Sequence, residues 1–236
     1  MIQATECEWG LAGIEALRDR VAVLVIVDVL SFSTTVDVAV ARGAVILPFP
    51  LGDRAAATEA ARRQNAQLAT QRRATGGQYS LSPGSLLAIE PGTRLMLPSP
   101  NGSRLSLAGS ATTVLAGCLR NAEAVAAAAR ALAGTGAIGV IPAGERWPDG
   151  SLRPAIEDWL GAGAILSALD GPCSAEARVA RDLYRSVGPD LSQIIRDSVS
   201  GRELIEGGFP RDVEIALEQG ASRTVPLLRE GAYQTA

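Results

Sequence analysis

Val21-Ala22-Val23-Leu24-Val25-Ile26-Val27-Asp28-Val29-Leu30-Ser31-Phe32-Ser33-Thr34-Thr35 is the stretch that decides the fold class. Seven apolar residues, five of them β-branched, run straight into one carboxylate. The run predicts a strand buried on both faces and ending at Asp28. The hydroxyl-rich segment after it predicts the opening of a helix. In open α/β sheets, ligands collect outside the carboxyl ends of strands. A carboxylate there can hold a cation while the helix amides hold an anion, which points to metal-assisted chemistry on a phosphate ester.

Outward from this run, strand-like and helix-like segments alternate. A helix is expected over 32–42 with Gly43 as its stop, a strand over 44–48, and a helix over 53–65 capped by Asp53. A short strand over 67–70 leads into a loop over 71–82, then a short helix over 83–90 with Pro83 at its start. Strands over 93–97, 111–116 and 137–141 follow, with an Ala-rich helix over 121–133 between the last two. Beyond Pro154 the pattern is mostly helical, apart from a strand near 223–225. The expected fold is α/β: a three-layer α/β/α sandwich with a parallel or mixed sheet and a mostly helical C-terminal third. Residues 1–236 read as one domain, or two intimate lobes without a linker. The order strand, Asp28, Ser/Thr, helix is echoed by strand, Asn101, Gly102-Ser103-Arg104, helix.

Two absences narrow the chemistry. The chain has no histidine, which excludes imidazole acid–base catalysis and every histidine triad within it. It also has no lysine, since all 22 basic residues are arginine, so a P-loop lysine and a Schiff-base lysine are excluded. Carboxylates, arginines, hydroxyls and amides remain, an inventory that suits Mg²⁺ better than zinc. Cys7, Cys118 and Cys173 have no metal-binding spacing and read as reduced thiols. The net charge of −3, without blocks of like charge, argues against nucleic acid or a membrane surface as partner. No apolar run reaches a membrane span and the N-terminus lacks signal-peptide features, so a cytoplasmic protein is expected. Several Ala/Leu helices leave room for a homodimer.

Four constellations carry the functional reading. Asp28 is a Mg²⁺ ligand or an in-line nucleophile, with Ser31, Ser33, Thr34 and Thr35 as hydroxyls and amides for phosphate. Haloacid-dehalogenase-type phosphatases share the strand-to-aspartate opening, but Leu30 stands where they need a second acid, and their lysine is missing. In Ser99-Pro100-Asn101-Gly102-Ser103-Arg104, Asn-Gly makes a tight turn, and Asn101 and Arg104 can hold a phosphoryl or acid group. In Gln71-Arg72-Arg73, a loop arginine can grip an anion bidentately. Gly144, following a strand, precedes the adjacent acids Glu157 and Asp158 near a helix start. Adjacent residues lie about 100° apart on a helix, so at most one of the two is expected to aim squarely at the site.

These segments resemble the 2-phosphosulfolactate phosphatase family. The resemblance rests on Val27 to Thr35, Ser99 to Arg104, Gly117-Cys118-Leu119-Arg120-Asn121-Ala122, and Ala143-Gly144 through Glu157-Asp158 to Ala162-Gly163. Gly201-Arg202 to Asp212 and Val225-Pro226 extend it, in the family order, over nearly the whole chain. It implies an α/β/α fold and Mg²⁺-dependent removal of phosphate from (2R)-phospho-3-sulfolactate, giving 3-sulfolactate. By position, Asp28, Asn101, Arg104 and the Glu157-Asp158 pair match family motif residues. The chain departs from the family where Gln71 replaces a glutamate, where Tyr79-Ser80-Leu81-Ser82-Pro83 replaces Phe-Ser-Asn-Ser-Pro, and where Glu145 replaces a small hydroxyl.

The combined expectation is a phosphomonoesterase for a small, doubly anionic phosphorylated acid. Asp28, Glu157 and Asp158 hold Mg²⁺. Catalysis is assigned to Asp28, Asn101 and Arg104, and substrate binding to Ser33, Thr34, Thr35, Arg72, Asn101, Gly102, Ser103, Arg104 and Gly144. A phosphatase or phosphotransfer enzyme for another small anionic phosphoester, and a non-catalytic anion-binding relative, remain the alternatives.

Overall fold

Side chains alternate along the opening run and so set the layering. Val23, Val25 and Val27 pack into one core, Leu24 and Ile26 into another, and all five are fully buried. A strand apolar on both faces is satisfied only between two helical layers. The computed structural model, which describes residues 4–72 and 78–236, has that arrangement. Arg73 lies outside the described residues.

In chain order the first elements are β1 (Thr5–Cys7), α1 (Gly10–Leu17), β2 (Val23–Val27), α2 (Phe32–Ala41), β3 (Val45–Pro50), α3 (Arg54–Arg63) and β4 (Gln67–Leu68). Then come β5 (Arg94–Ser99), α4 (Gly102–Ala108), β6 (Thr113–Gly117), α5 (Ala122–Ala133) and β7 (Ile138–Pro142). The rest comprises β8 (Glu145–Arg146), β9 (Leu152–Arg153), α6 (Ile156–Ser167), α7 (Ala175–Val187), α8 (Leu191–Asp197), α9 (Val199–Glu206), α10 (Pro210–Ala216), β10 (Pro226–Arg229) and β11 (Ala232–Thr235).

The main sheet has nine strands in the order β1-β7-β2-β6-β10-β11-β3-β5-β4. β1, β7, β2 and β6 run parallel to one another, and so do β3, β5 and β4. The hairpin β10–β11 joins the two sets, pairing antiparallel with β6 through Leu227–Leu115 and with β3 through Tyr233–Ile46. The sheet is therefore mixed, with its two parallel sets running in opposite senses. Helices α5, α6 and α7 cover the face carrying Val23, Val25 and Val27, while α1, α2 and α4 cover the face carrying Leu24 and Ile26.

Several expected boundaries shift. The last strand begins at Pro226, past the expected 223–225, and β11 follows it through Glu230 and Gly231, both at positive φ (51° and 79°). That is the two-residue hairpin turn, made here with glutamate where asparagine or aspartate is the usual sign. The helix expected over 83–90 is only a 3₁₀ turn, Pro83–Leu86, although Leu86 and Ile89 are fully buried. β1 and α1 were not expected; β1 has only three residues, too few to show a period. Asp53 caps α3 as expected, its Oδ1 accepting from the N–H groups of Ala55 and Ala56.

Candidate active site

Three turns at strand ends converge with the start of α6. Asp28, just past β2, is 6% exposed. Its Oδ1 accepts from Phe32 N–H at 3.0 Å and its Oδ2 from Gly102 N–H at 2.9 Å. The second bond crosses from the β2–α2 turn to the β5–α4 turn, so one carboxylate joins the two segments that echo each other in sequence. Only glycine fits at 102, because a Cβ there would stand 2.1 Å from Phe32 Cδ1.

Asp158 makes a matching clamp. Its Oδ1 accepts from Val29 N–H at 2.7 Å and its Oδ2 from Gly144 N–H at 2.9 Å, tying the outgoing ends of β2 and β7 to α6. Gly144 has φ +67°, and a Cβ on it would lie 2.6 Å from Leu152 Cδ1. Glu157 is 2% exposed, and its charge bears on Asp28, Asp158 and Glu145. Both adjacent acids are buried, Asp158 with each oxygen bonded to an N–H and Glu157 close enough for its charge to act on Asp28. They sit in the first turn of α6.

The electrostatics follow from this crowding. Burial pushes the Asp28 carboxyl up to about 6 against the opposing pull of the Phe32 and Gly102 amides; Glu157 raises it further and Arg72 lowers it. Burial, then the charges of Asp28 and Glu157, hold Asp158 well above the ordinary carboxylate range. Glu145, at the start of β8, is pushed up to about 7 by burial and by Asp28. Its Oε2 accepts from Asn101 Nδ2 at 2.9 Å.

Three of the four hydroxyls expected to cradle phosphate, those of Ser33, Thr34 and Thr35, are turned inward. Ser33 Oγ donates to Ile26 O and accepts from Asp28 N–H, Thr34 Oγ1 donates to Val29 O, and Thr35 Oγ1 to Leu81 O. All three residues are fully buried, so their side chains fasten the turn rather than face a ligand. Ser103 does the same for the second turn, donating to Leu97 O at 2.8 Å. The two short polar side chains satisfy carbonyls near the ends of β2 and β5, which is the physical content of the echo.

Arg104 is exposed and has no hydrogen bond or ion pair among the described residues. It lines a cavity of about 190 Å³ with Asn101, Glu145, Arg146, Trp9 and Leu152. Arg72 comes closer to Asp28. Its Nη2 donates to Ser31 Oγ and Leu81 O, both at 2.8 Å, and its guanidinium lies 5.2 Å from the centre of the Phe209 ring. Asp212 faces it with Oδ2 at 3.4 Å from Nε and also accepts from Ser82 Oγ at 2.6 Å. Ser31, one of the hydroxyls expected to meet phosphate, accepts from Arg72 there, while Glu145 and Asp212 had been given no role, and only their places in the resembling segments pointed to them. Arg120, in another such segment, instead braces α2: its Nε donates to the buried Asp37 at 2.9 Å.

The donor set around Asp28 is all-oxygen and acidic. Among the described residues no three His, Cys, Asp or Glu side chains close round a metal ion by themselves. Asp28, Glu157 and Asp158 are thus brought together, but not as a cage. Each Asp oxygen already bound to one N–H keeps a second lone pair for a cation. Such a set suits a hard ion held by one or two carboxylates, with water and phosphate completing its shell.

Residues 13–231 match the family described as 2-phosphosulpholactate phosphatase. The "2-phosphosulfolactate phosphatase" of Methanothermobacter thermautotrophicus is 38% identical over 145 residues, which are 61% of this chain and 59% of that protein. The "Probable 2-phosphosulfolactate phosphatase" of Carboxydothermus hydrogenoformans is 32% identical across 86% of this chain and 84% of its own. The "2-phosphosulfolactate phosphatase" of Methanocaldococcus jannaschii is 25% identical across 88% of this chain and 89% of its own. With the match spanning nearly all of its length, this chain belongs to the 2-phosphosulpholactate phosphatase family.

Proposed function

We propose that this protein is a Mg²⁺-dependent phosphomonoesterase that hydrolyses (2R)-phospho-3-sulfolactate to 3-sulfolactate and phosphate. The observation that carries the reading is the meeting of Asp28, Glu157 and Asp158 at the ends of β2 and β7, with Arg72 as the nearby cation. Asp28 and Asp158 would hold the ion, with Glu157 beside them. A divalent ion bound there neutralises charge on phosphoryl oxygens and orients water.

The chain's own groups do the rest. Backbone N–H groups of Phe32, Gly102, Val29 and Gly144 fix both aspartates, so neither has to reorganise on binding. Both roles open to Asp28, cation ligand and in-line nucleophile, require its carboxylate form. Arg104, without a partner among the described residues, supplies positive charge for an anionic group entering beside Asn101. Arg72 does the same on the side of Ser31.

The test is phosphate release from phospho-3-sulfolactate by the purified protein. The expected result is turnover with Mg²⁺, loss with chelator and recovery on adding the ion back. Equal rates with and without chelator would remove the metal from the account. No turnover of this ester under any divalent cation would remove the substrate.

A further inference from the structure

The largest cleft beside the site, about 460 Å³, is lined by Leu30, Ser31, Arg72, Glu145 and, on the wall formed by α9, Ser200. Ser200 is 5% exposed and its Oγ has no hydrogen-bond partner among the described residues. Helix capping does not account for it, because Ser198 already takes that role, accepting from Gly201 N–H at 3.0 Å. A buried hydroxyl without a partner costs stability unless something enters to satisfy it. The acids in the cleft are already engaged, Glu145 by Asn101 and Glu203 by Arg153 at 3.8 Å. The cation among its lining residues, Arg72, is held in place by Ser31, Leu81 and Phe209, with Asp212 Oδ2 3.4 Å from its Nε.

We propose that Ser200 Oγ donates a hydrogen bond to the substrate's non-reacting oxyanion, its carboxylate or sulfonate, seated against Arg72 and Ser31. Ser200, whose Oγ is closed off from solvent until the side chain turns about χ1 toward the cleft, is then a specificity residue on α9. The inference rests on the phosphatase reading for the identity of the ligand, but its test does not depend on turnover.

Calorimetric titration of 3-sulfolactate, lactate and inorganic phosphate into the wild-type protein, Ser200→Ala and Ser167→Ala, all with Mg²⁺, decides it. Ser167 is the control, since its hydroxyl is also unpartnered but faces a different cavity beside Leu119 and Tyr184. Ser200→Ala should weaken 3-sulfolactate relative to inorganic phosphate about tenfold, as expected for a lost hydrogen bond to a charged group. Ser167→Ala should leave that ratio as it is. The same loss for lactate identifies the carboxylate as the bound group, and its absence identifies the sulfonate. An unchanged ratio in Ser200→Ala, or no binding of 3-sulfolactate to the wild type, overturns the proposal. Binding with the expected ratio but no hydrolysis overturns the phosphatase reading and leaves this one standing.

Discussion

Asp28 and Glu145 each hold a proton more firmly than a free carboxyl group, Asp28 up to about 6 and Glu145 up to about 7, because burial penalises their charged forms. Between the unfolded and folded values the native chain binds more protons than the unfolded one, so stability falls as pH rises. Their contribution is fully present below about pH 4 and is lost as pH climbs through about 6 to 7. With chelator present, the melting temperature should therefore decline from pH 5 to pH 8, and Glu145→Gln should flatten the decline. Saturating Mg²⁺ should flatten it too, by favouring the carboxylate forms. A slope that is the same in Glu145→Gln would contradict the assignment. Asp28 itself was legible from the residues alone, as one acid ending an apolar run. The inward turn of Ser33, Thr34 and Thr35 was not, because a hydroxyl at a helix start reads the same whether it meets a ligand or a carbonyl.

At the scale of elements, the β5–α4 turn delivers a backbone N–H, not a side chain, to the Asp28 carboxylate. Gly102→Ala would set a methyl into the Phe32 ring and push that N–H away from Asp28. Overpacking of this kind costs about 1–3 kcal/mol, readable as a lower midpoint in urea denaturation. Phosphate release should fall at the same time, since the turn can relieve the clash only by moving off Asp28. A variant of unchanged stability and rate would show that the turn is soft. The sequence made the Asn101-Gly102 turn visible but not its partner, because a contact between residues 28 and 102 has no local signature. The burial of both Glu157 and Asp158 was hidden for a related reason. Helical spacing gives the angle between neighbours, not what packs round the first turn of α6.

Across the whole molecule, the hairpin of β10 and β11 joins two parallel sets that do not pair with each other directly. Its registered contacts are Leu227–Leu115 on one side and Tyr233–Ile46 on the other, with Tyr233 fully buried against Phe32. Truncation after Thr224 should therefore remove the seam and abolish the single cooperative melting transition. A truncated chain that still melts cooperatively near the full-length temperature would show that the halves dock without it. The layered α/β class was legible because apolar strands and amphipathic helices carry their periods in the sequence. The seam was not, since strand order depends on contacts between distant segments. Fold and site meet at β2, whose end carries the central acid. The most direct measurement compares phosphate release by the wild type and Asp28→Asn across a Mg²⁺ titration, with circular dichroism confirming that the variant is folded. The account predicts Mg²⁺-dependent turnover in the wild type and a loss of more than about a hundredfold in the variant. A folded Asp28→Asn protein with wild-type rate and Mg²⁺ dependence would contradict it.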